Sequence, residues 1–352
     1  MKKRKILILI IVILIITFAI SKINNKNTFD VDGMTLAVTL DGKAITDFPE
    51  QGKYNVAISC KNATGKWLSH EWKLVAENIT GDVFCNLDFT SSPSTLKDIV
   101  EATTQVNQNG LRYNGLTPDN YLWFNDELWR IIGDIPVKNE NGTSENLVKI
   151  VRNDSIGSLY YDTLATNSSW GSNTLYTLLN SYYYGKSDAT ETNYCKGTLA
   201  QKCDYTINGI DPDGYYGKMI KNVYWNTGSS TYATTLSKMY NSEISNQTIK
   251  GYIGIINASD YGYATTEDFY SLSTWYVSNS TTRISDNNWL HKGSTHTLTN
   301  FTSNYLSVPY FGGLIASSVS GILSTRPVVY LDSSVYVVSG SGTEANPYQI
   351  AM

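Results

Sequence analysis

Few side chains in this chain of 352 residues carry reactive chemistry, and those few are scattered. His70, His291 and His296 are the only histidines. His291 and His296, five apart, do not fall on one helical face, so they read as surface imidazoles. "DPDGYYG" at 211–217 offers Asp211 and Asp213 as in a calcium loop, but Asn222 stands at the twelfth position, where an EF-hand needs Glu. Asp-Pro and Asp-Gly form turns, and a turn is the expectation there. Asp260, in "IGIINASDYGYAT" at 253–265, is the most suggestive acid. Ile253, Ile255 and Ile256 read as a buried strand, and a carboxylate at a strand end can act as a general base. No second acid or base stands at a usable spacing, and Tyr-Gly-Tyr is turn context, so a structural role is expected for Asp260. Arg326, ahead of Pro327 in "RPVVYL", is the unusual cation. Buried there, it needs a carboxylate, and Asp260 is the expected partner. Nucleophile-elbow, Walker, dinucleotide-binding and zincin motifs are absent from the sequence. The expectation is a protein without catalytic residues, metal or cofactor.

Aromatic residues suggest binding instead. The chain holds 26 Tyr and 8 Trp. Exposed rings of these types give sugars or proteins a stacking surface at low entropic cost. "SYYYG", "YGYAT" and "NNWLHKG" are the candidate patches, with Tyr261, Tyr263, Trp289 and His291 as candidate ligand contacts. The plainer alternative is that these rings fill a Tyr-rich core.

The elements that must position these residues show in the hydrophobic spacing. From Val31 the chain alternates through "TLAVTL", turns at Asp41-Gly42, and continues through "YNVAISC", "WKLVAENIT" and "DVFCNLDFT". Residues 31–90 therefore read as a small β-sandwich of about six strands, with Trp67 or Trp72 packed on a disulfide. Residues 91–110 read as a linker around a short helix capped by Ser94 or Thr95. Beyond Leu111, "YLWFNDELWRIIG" reads as two strands turning at Asn125-Asp126, and "LVKIVR" as a third. Helices are expected at 172–185, capped by Ser172, and at 232–244. Strands follow at "IGII", "RPVVYL", "VYVVSG" and "PYQIAM". Strands and two helices in this order give an α+β domain over 111–352.

The N-terminus points outward. "KKRK" at 2–5 precedes an apolar run at 6–20, broken only by Thr17. A basic flank keeps the N-terminus cytoplasmic and sends the remainder across the membrane. The run is shorter than the roughly 17–25 residues of a usual span, so residues 1–21 also fit a secretory signal. A single-pass anchor is favoured, with a polar spacer at 22–30. A net charge of −4 gives no footprint for nucleic acid. Cys60, Cys85, Cys195 and Cys203 make an even set, which in an exported chain suggests disulfides. Neighbour pairing, Cys60–Cys85 and Cys195–Cys203, keeps each bridge inside one segment.

Taken in order, "YLWFNDELWRIIG", "VKIVRNDSIG", "LLNSYYYG", "GYIGIINASDYGYAT", "NNWL", "RPVVYL" and "SGTEANPYQI" resemble a group of uncharacterised surface-protein domains. Those domains belong to anchored or secreted proteins of Gram-positive gut bacteria. The group is similar in turn to the C-type-lectin-like fold shared with formylglycine-generating, sulfatase-modifying factors. The resemblance spans roughly 110–350, and it implies that fold. The late cysteine pair of the formylglycine enzymes is missing here, since no Cys follows Cys203. "EANP" at 344–347 and "WFND" at 123–126 also depart from the calcium-lectin motifs. The expectation is a membrane-anchored extracellular binding or adhesion protein for a glycan or a host or envelope protein. A formylglycine-type enzyme and a ligand-free envelope component are the alternatives. Intact cells exposed to external protease are expected to lose the 31–352 body; a body protected until lysis would overturn the outward orientation.

Overall fold

The computed structural model describes residues 28–104, 106–107, 109–165, 169–196, 203–229, 235–266, 287–301, 304–308 and 313–352. The apolar N-terminal segment expected as an anchor or signal lies outside the described residues, as do positions 232–234 of an expected helix. Among the described residues, no helix is long and apolar enough to cross a membrane. The chain divides into two compact units, the first ending at Pro93 and the second running from Ser94 to Ile350.

Among its described residues the first unit's regular elements are strands: β1 (Thr28–Val31), β2 (Met34–Leu40), β3 (Lys43–Ile45), β4 (Tyr54–Lys61), β5 (Thr64–Leu68), β6 (Lys73–Glu77) and β7 (Phe84–Ser91). β1, β2, β7 and β4 lie side by side, β3 joins β2, and β5–β6 is a separate hairpin. Asp41 and Gly42 make the two-residue turn, both with positive φ, and so fix the Leu40–Lys43 register. Trp67 of the hairpin meets Phe89 of the sheet edge-on at 5.1 Å, so the hairpin supplies the second layer. Trp72 and Phe48 close round the same ring cluster. Cys60 and Cys85 stand directly opposite each other on β4 and β7 and are bonded. A unit this small gains much from such a staple.

The second unit opens with α1 (Leu96–Thr103), which starts on a Thr95–Asp98 capping box and buries Leu96 and Val100. Leu96 and Val100, within the expected linker, therefore join this unit's core. Its strands are β8 (Val106–Asn107), β9 (Leu111–Arg112), β10 (Tyr121–Phe124), β11 (Glu127–Asn139), β12 (Ser144–Arg152) and β13 (Gly157–Tyr160). α2 (Thr174–Leu178) comes next, then β14 (Val223–Trp225), α3 (Leu236–Ile244), β15 (Ile249–Gly251) and α4 (Ala258–Tyr263). The chain closes with β16 (Thr295–Phe301), β17 (Asn304–Val308), β18 (Ile315–Ser317), β19 (Ile322–Thr325), β20 (Val328–Tyr330), β21 (Tyr336–Ser339) and β22 (Tyr348–Ala351). β11 is the hub of a ten-stranded mixed sheet, pairing with β9, β10, β12 and β14. A second sheet runs β13-β19-β16-β17-β18. The unit is mostly sheet with short helices, a mixed α+β arrangement.

Several local expectations change. The helix expected at 172–185 is α2 followed by a π-type turn over Leu179–Tyr183, and its cap is Asn173, whose Oδ1 accepts from Tyr176 N–H at 2.7 Å. "IGII" is not a strand: only Gly254 bridges, to Val328. The turn expected at Asp260 is the helix α4. Asn125-Asp126 does make the β10–β11 turn, with φ of 54° and 58°.

The register around Gly133 brings two cations side by side. On β11, Gly133 is flanked by Arg112 of β9 on one side and Lys149 of β12 on the other. Neighbours across strands share a face, so the two side chains project together. A Cβ on Gly133 would lie 2.0 Å from the Leu111 carbonyl oxygen, so only glycine lets β9 approach. Gly133→Ala is expected to destabilise the second unit by about 2 kcal/mol or more, through forced backbone displacement. Denaturant unfolding measures it, and a wild-type midpoint would refute this account of β9.

Candidate functional site

The row Arg112–Gly133–Lys149 holds a carboxylate above it. Asp260 is the third residue of α4, and its side chain accepts from the Asn257 N–H at 2.9 Å, closing the helix N-terminus. Arg112 Nη1 reaches Oδ1 at 2.7 Å and Lys149 Nζ reaches Oδ2 at 2.5 Å. Lys149 also donates to Asn257 Oδ1 at 3.1 Å. Arg112, Lys149, Asn257 and Asp260 are each no more than 2% exposed. Burial alone would raise the Asp260 carboxyl, but Lys149 and then Arg112 reverse that and hold it below its ordinary value. Asp260 is thus tied by two cations, and Arg326 is not one of them. Arg326 donates instead to the Arg152 and Leu290 carbonyls at 2.8 and 2.9 Å. Its Nη2 has no hydrogen-bond partner, and burial lowers its guanidinium to about 9. The expected Asp260–Arg326 pair is replaced because Arg112 and Lys149 occupy both carboxylate oxygens.

A second buried acid completes the cluster. Glu243 of α3 is fully buried and accepts from Ser259 N–H at 3.0 Å, from Ser259 Oγ, and from Thr299 Oγ1 at 2.6 Å. Its hydrogen-bond donors are all neutral. Burial raises it from 4.5 to about 7, and the Asp260 charge adds to the rise. His296, expected at the surface, is buried on β16 between Tyr305 OH (2.8 Å) and the Leu159 carbonyl (2.7 Å). Burial lowers it to about 4, so it is neutral across the physiological range.

The aromatic candidates also move inward. Tyr261, Tyr263 and Trp289 are buried, and no exposed stacking face is formed by them. Tyr263 lies under the Arg112 guanidinium at 4.8 Å, with its hydroxyl accepting from Asn109 at 2.8 Å. Tyr261 OH meets the half-buried His291 Nδ1 at 3.1 Å. Trp289 donates its indole N–H to the Tyr113 carbonyl and stacks on Arg130. Asp211 accepts at its carbonyl from Gly214 N–H and at Oδ1 from Asp213 N–H, a turn, as expected. Among the described residues no group of His, Cys, Asp or Glu could hold a metal ion. Cys195 and Cys203 are bonded to each other.

What the second unit does offer to solvent is a cleft of about 480 Å³, lined by Thr103, Tyr113, Asn114, Thr117, Asp119 and Tyr348, with Leu116, Pro118 and Ser341 completing it. Its floor loop is braced from behind. Arg130, sandwiched between the Tyr121 and Trp289 rings, donates to Asn120 Oδ1 at 2.8 Å and to the Pro118 carbonyl at 3.3 Å. Trp289 N–H donates to the Gly115 carbonyl at 2.8 Å. The candidate Trp289 therefore supports the cleft rather than lining it. Tyr113 OH shares a hydrogen with Thr103 Oγ1, and burial pushes the phenol up to about 12. Hydroxyls, an amide and a carboxylate, backed by two largely buried phenol rings, suit a hydroxyl-rich ligand. The loop's sequence, "NGLTPD", carries a turn signal, but nothing in it marks a binding surface.

Comparison of the whole chain with protein families, with characterised proteins and with solved structures finds no match.

The two shifted groups work in opposite directions on stability. Glu243 is raised in the fold, so its contribution is full below about 4.5 and is lost as pH climbs to about 7. His296 is lowered, so its contribution is full above about 6.5 and is lost as pH falls to about 4. Between these limits the two offset each other. Glu243→Gln keeps the shape of the protonated acid and removes one side of the balance. Relative to wild type, the variant is expected to gain up to about 3 kcal/mol as pH rises from 4.5 to 7. Urea unfolding of both proteins across that range tests it, and a difference independent of pH would refute the buried-acid assignment.

Proposed function

We propose that this is a membrane-anchored extracellular binding protein, non-enzymatic, whose second unit is a C-type-lectin-like domain that recognises a glycan at the 480 Å³ cleft. The observation that carries the reading is the lining of that cleft. Asn114, Thr117, Asp119 and Ser341 offer donors and acceptors at its rim, over a wall completed by the largely buried Tyr113 and Tyr348. Hydroxyl-rich ligands are recognised by convergent polar groups set in a concave, partly apolar wall. Two disulfides support an oxidising, extracellular setting. The mixed sheet with short helices is compatible with the lectin-like reading. By contrast, the ionisable groups with most chemical potential, Asp260, Lys149 and Glu243, are sealed in the core and cannot meet a substrate from solution.

A glycan array probed with the full-length protein in detergent tests this. Reproducible hits are expected, and Asn114→Ala and Asp119→Ala are each expected to weaken them about tenfold, the loss of about 1.4 kcal/mol of hydrogen bonding. Both positions line a solvent-open loop, so melting temperatures are expected to hold. Hits that survive both substitutions would move the site elsewhere, and an array without hits would remove the glycan reading.

A further inference from the structure

The sealed cluster contains an arrangement that ion pairing does not explain. Lys149 Nζ lies 3.1 Å from the side-chain carbonyl oxygen of Asn257, a carboxamide, and 2.5 Å from a carboxylate oxygen of Asp260. The same Asp260 oxygen accepts from the Asn257 backbone N–H at 2.9 Å. The Asn257 amide nitrogen is held by the Asn226 carbonyl at 2.8 Å, which fixes the plane of the carboxamide. An amine, an acyl carbon bearing a displaceable nitrogen, and a proton carrier thus lie together, each no more than 2% exposed. Fixed proximity of this kind replaces the entropy a bimolecular step would lose, and exclusion of water removes competing hydrolysis.

We propose that Lys149 and Asn257 become joined in the folded protein by an amide bond between Nζ and Cγ, with ammonium released and Asp260 as the catalytic residue. Asp260 Oδ2 takes a proton from the Lys149 ammonium, and the neutral amine attacks Cγ of Asn257. The new C–N bond forms, and Nζ gives up a second proton. The Cγ–Nδ2 bond then breaks, and Nδ2 departs carrying both protons delivered through Asp260. One ammonium is consumed and one is released, so charge balances and Asp260 ends ionised as it began. No oxidant or other reactant takes part.

The charge of the cluster favours this outcome. With Glu243 protonated, as burial makes it below about pH 7, Arg112 and Lys149 carry two positive charges against the single negative charge of Asp260. A surplus buried cation is costly. Conversion of the Lys149 ammonium into a neutral amide removes that surplus and leaves the Arg112–Asp260 pair intact. Trp225 and Tyr330, whose rings stand 5.8 and 5.4 Å from Nζ, suit the neutral product as well as the cation.

The test is peptide mass mapping of the full-length protein after reduction, denaturation and tryptic digestion. The expected result is a branched peptide joining the Lys149 and Asn257 segments, lighter than their sum by one ammonia, with no cleavage after Lys149. Asn257→Ser keeps a helix-capping side chain without an acyl carbon, and it is expected to yield only linear peptides. Wild-type protein that gives a linear peptide cut at Lys149, with Asn257 unchanged, would overturn the proposal even if every variant failed to fold. A branch through Asp260, lighter by one water, would overturn it too.

Discussion

The second unit turns on one carboxylate held by two cations. Asp260 caps its own helix and at the same time draws in Arg112 from β9 and Lys149 from β12. α4 is thereby fixed against the hub of the ten-stranded sheet, and α3 is drawn in with it through Glu243 and Ser259. A buried pair of this kind adds little net stability against an apolar replacement, yet removal of one partner costs about 3–5 kcal/mol. Its effect is therefore on which arrangement forms rather than on how stable that arrangement is. A helix packed with the wrong face would leave two cations unpaired in the core.

Two further arginines of the unit, Arg130 and Arg326, are buried by a different route. Arg130 is stacked between two rings and donates to an amide and to backbone carbonyls. Arg326 donates only to carbonyls. Planar guanidinium groups tolerate this because they are weakly hydrated and match carbonyl geometry, where an ammonium would not. The consequence for the cleft is direct in the case of Arg130. It pins Asn120 and Pro118, and so shapes the loop that floors the cleft.

Tyr-rich composition also has two uses here. Rings in the aromatic runs of the sequence, such as Tyr261 and Tyr263, fill the core and shield the ionic cluster. Tyr113 and Tyr348, which stand outside any such run, belong to the same core and also line the cleft. Whether a buried Tyr also borders the cleft depends on its neighbours across strands, and a local patch of sequence carries no information about those.

What the sequence determined by itself is local. Asp41-Gly42 and Asn125-Asp126 specified their turns because positive φ at two consecutive positions excludes most residues. A cap at Ser94 or Thr95 was legible ahead of α1, and the fold uses Thr95, while cysteine proximity along the chain matched both bridges. The apolar runs marked β10, β11, β12, β20, β21 and β22 and left the other strands of the second unit unmarked, and "IGII" misled, since a short buried apolar run has no period that separates strand from coil. The tertiary structure decided everything that joins distant residues. Arg112 and Asp260 are 148 positions apart, and Lys149 and Asp260 are 111 apart. Lys149 sits in "LVKIVR" as an ordinary strand lysine, and nothing near it in sequence signals burial. Its depth comes from β12 lying between β11 and β20. The ionic core and the cleft alike depend on which strands are neighbours, a property of pairing across the sheet and not of any window along the chain.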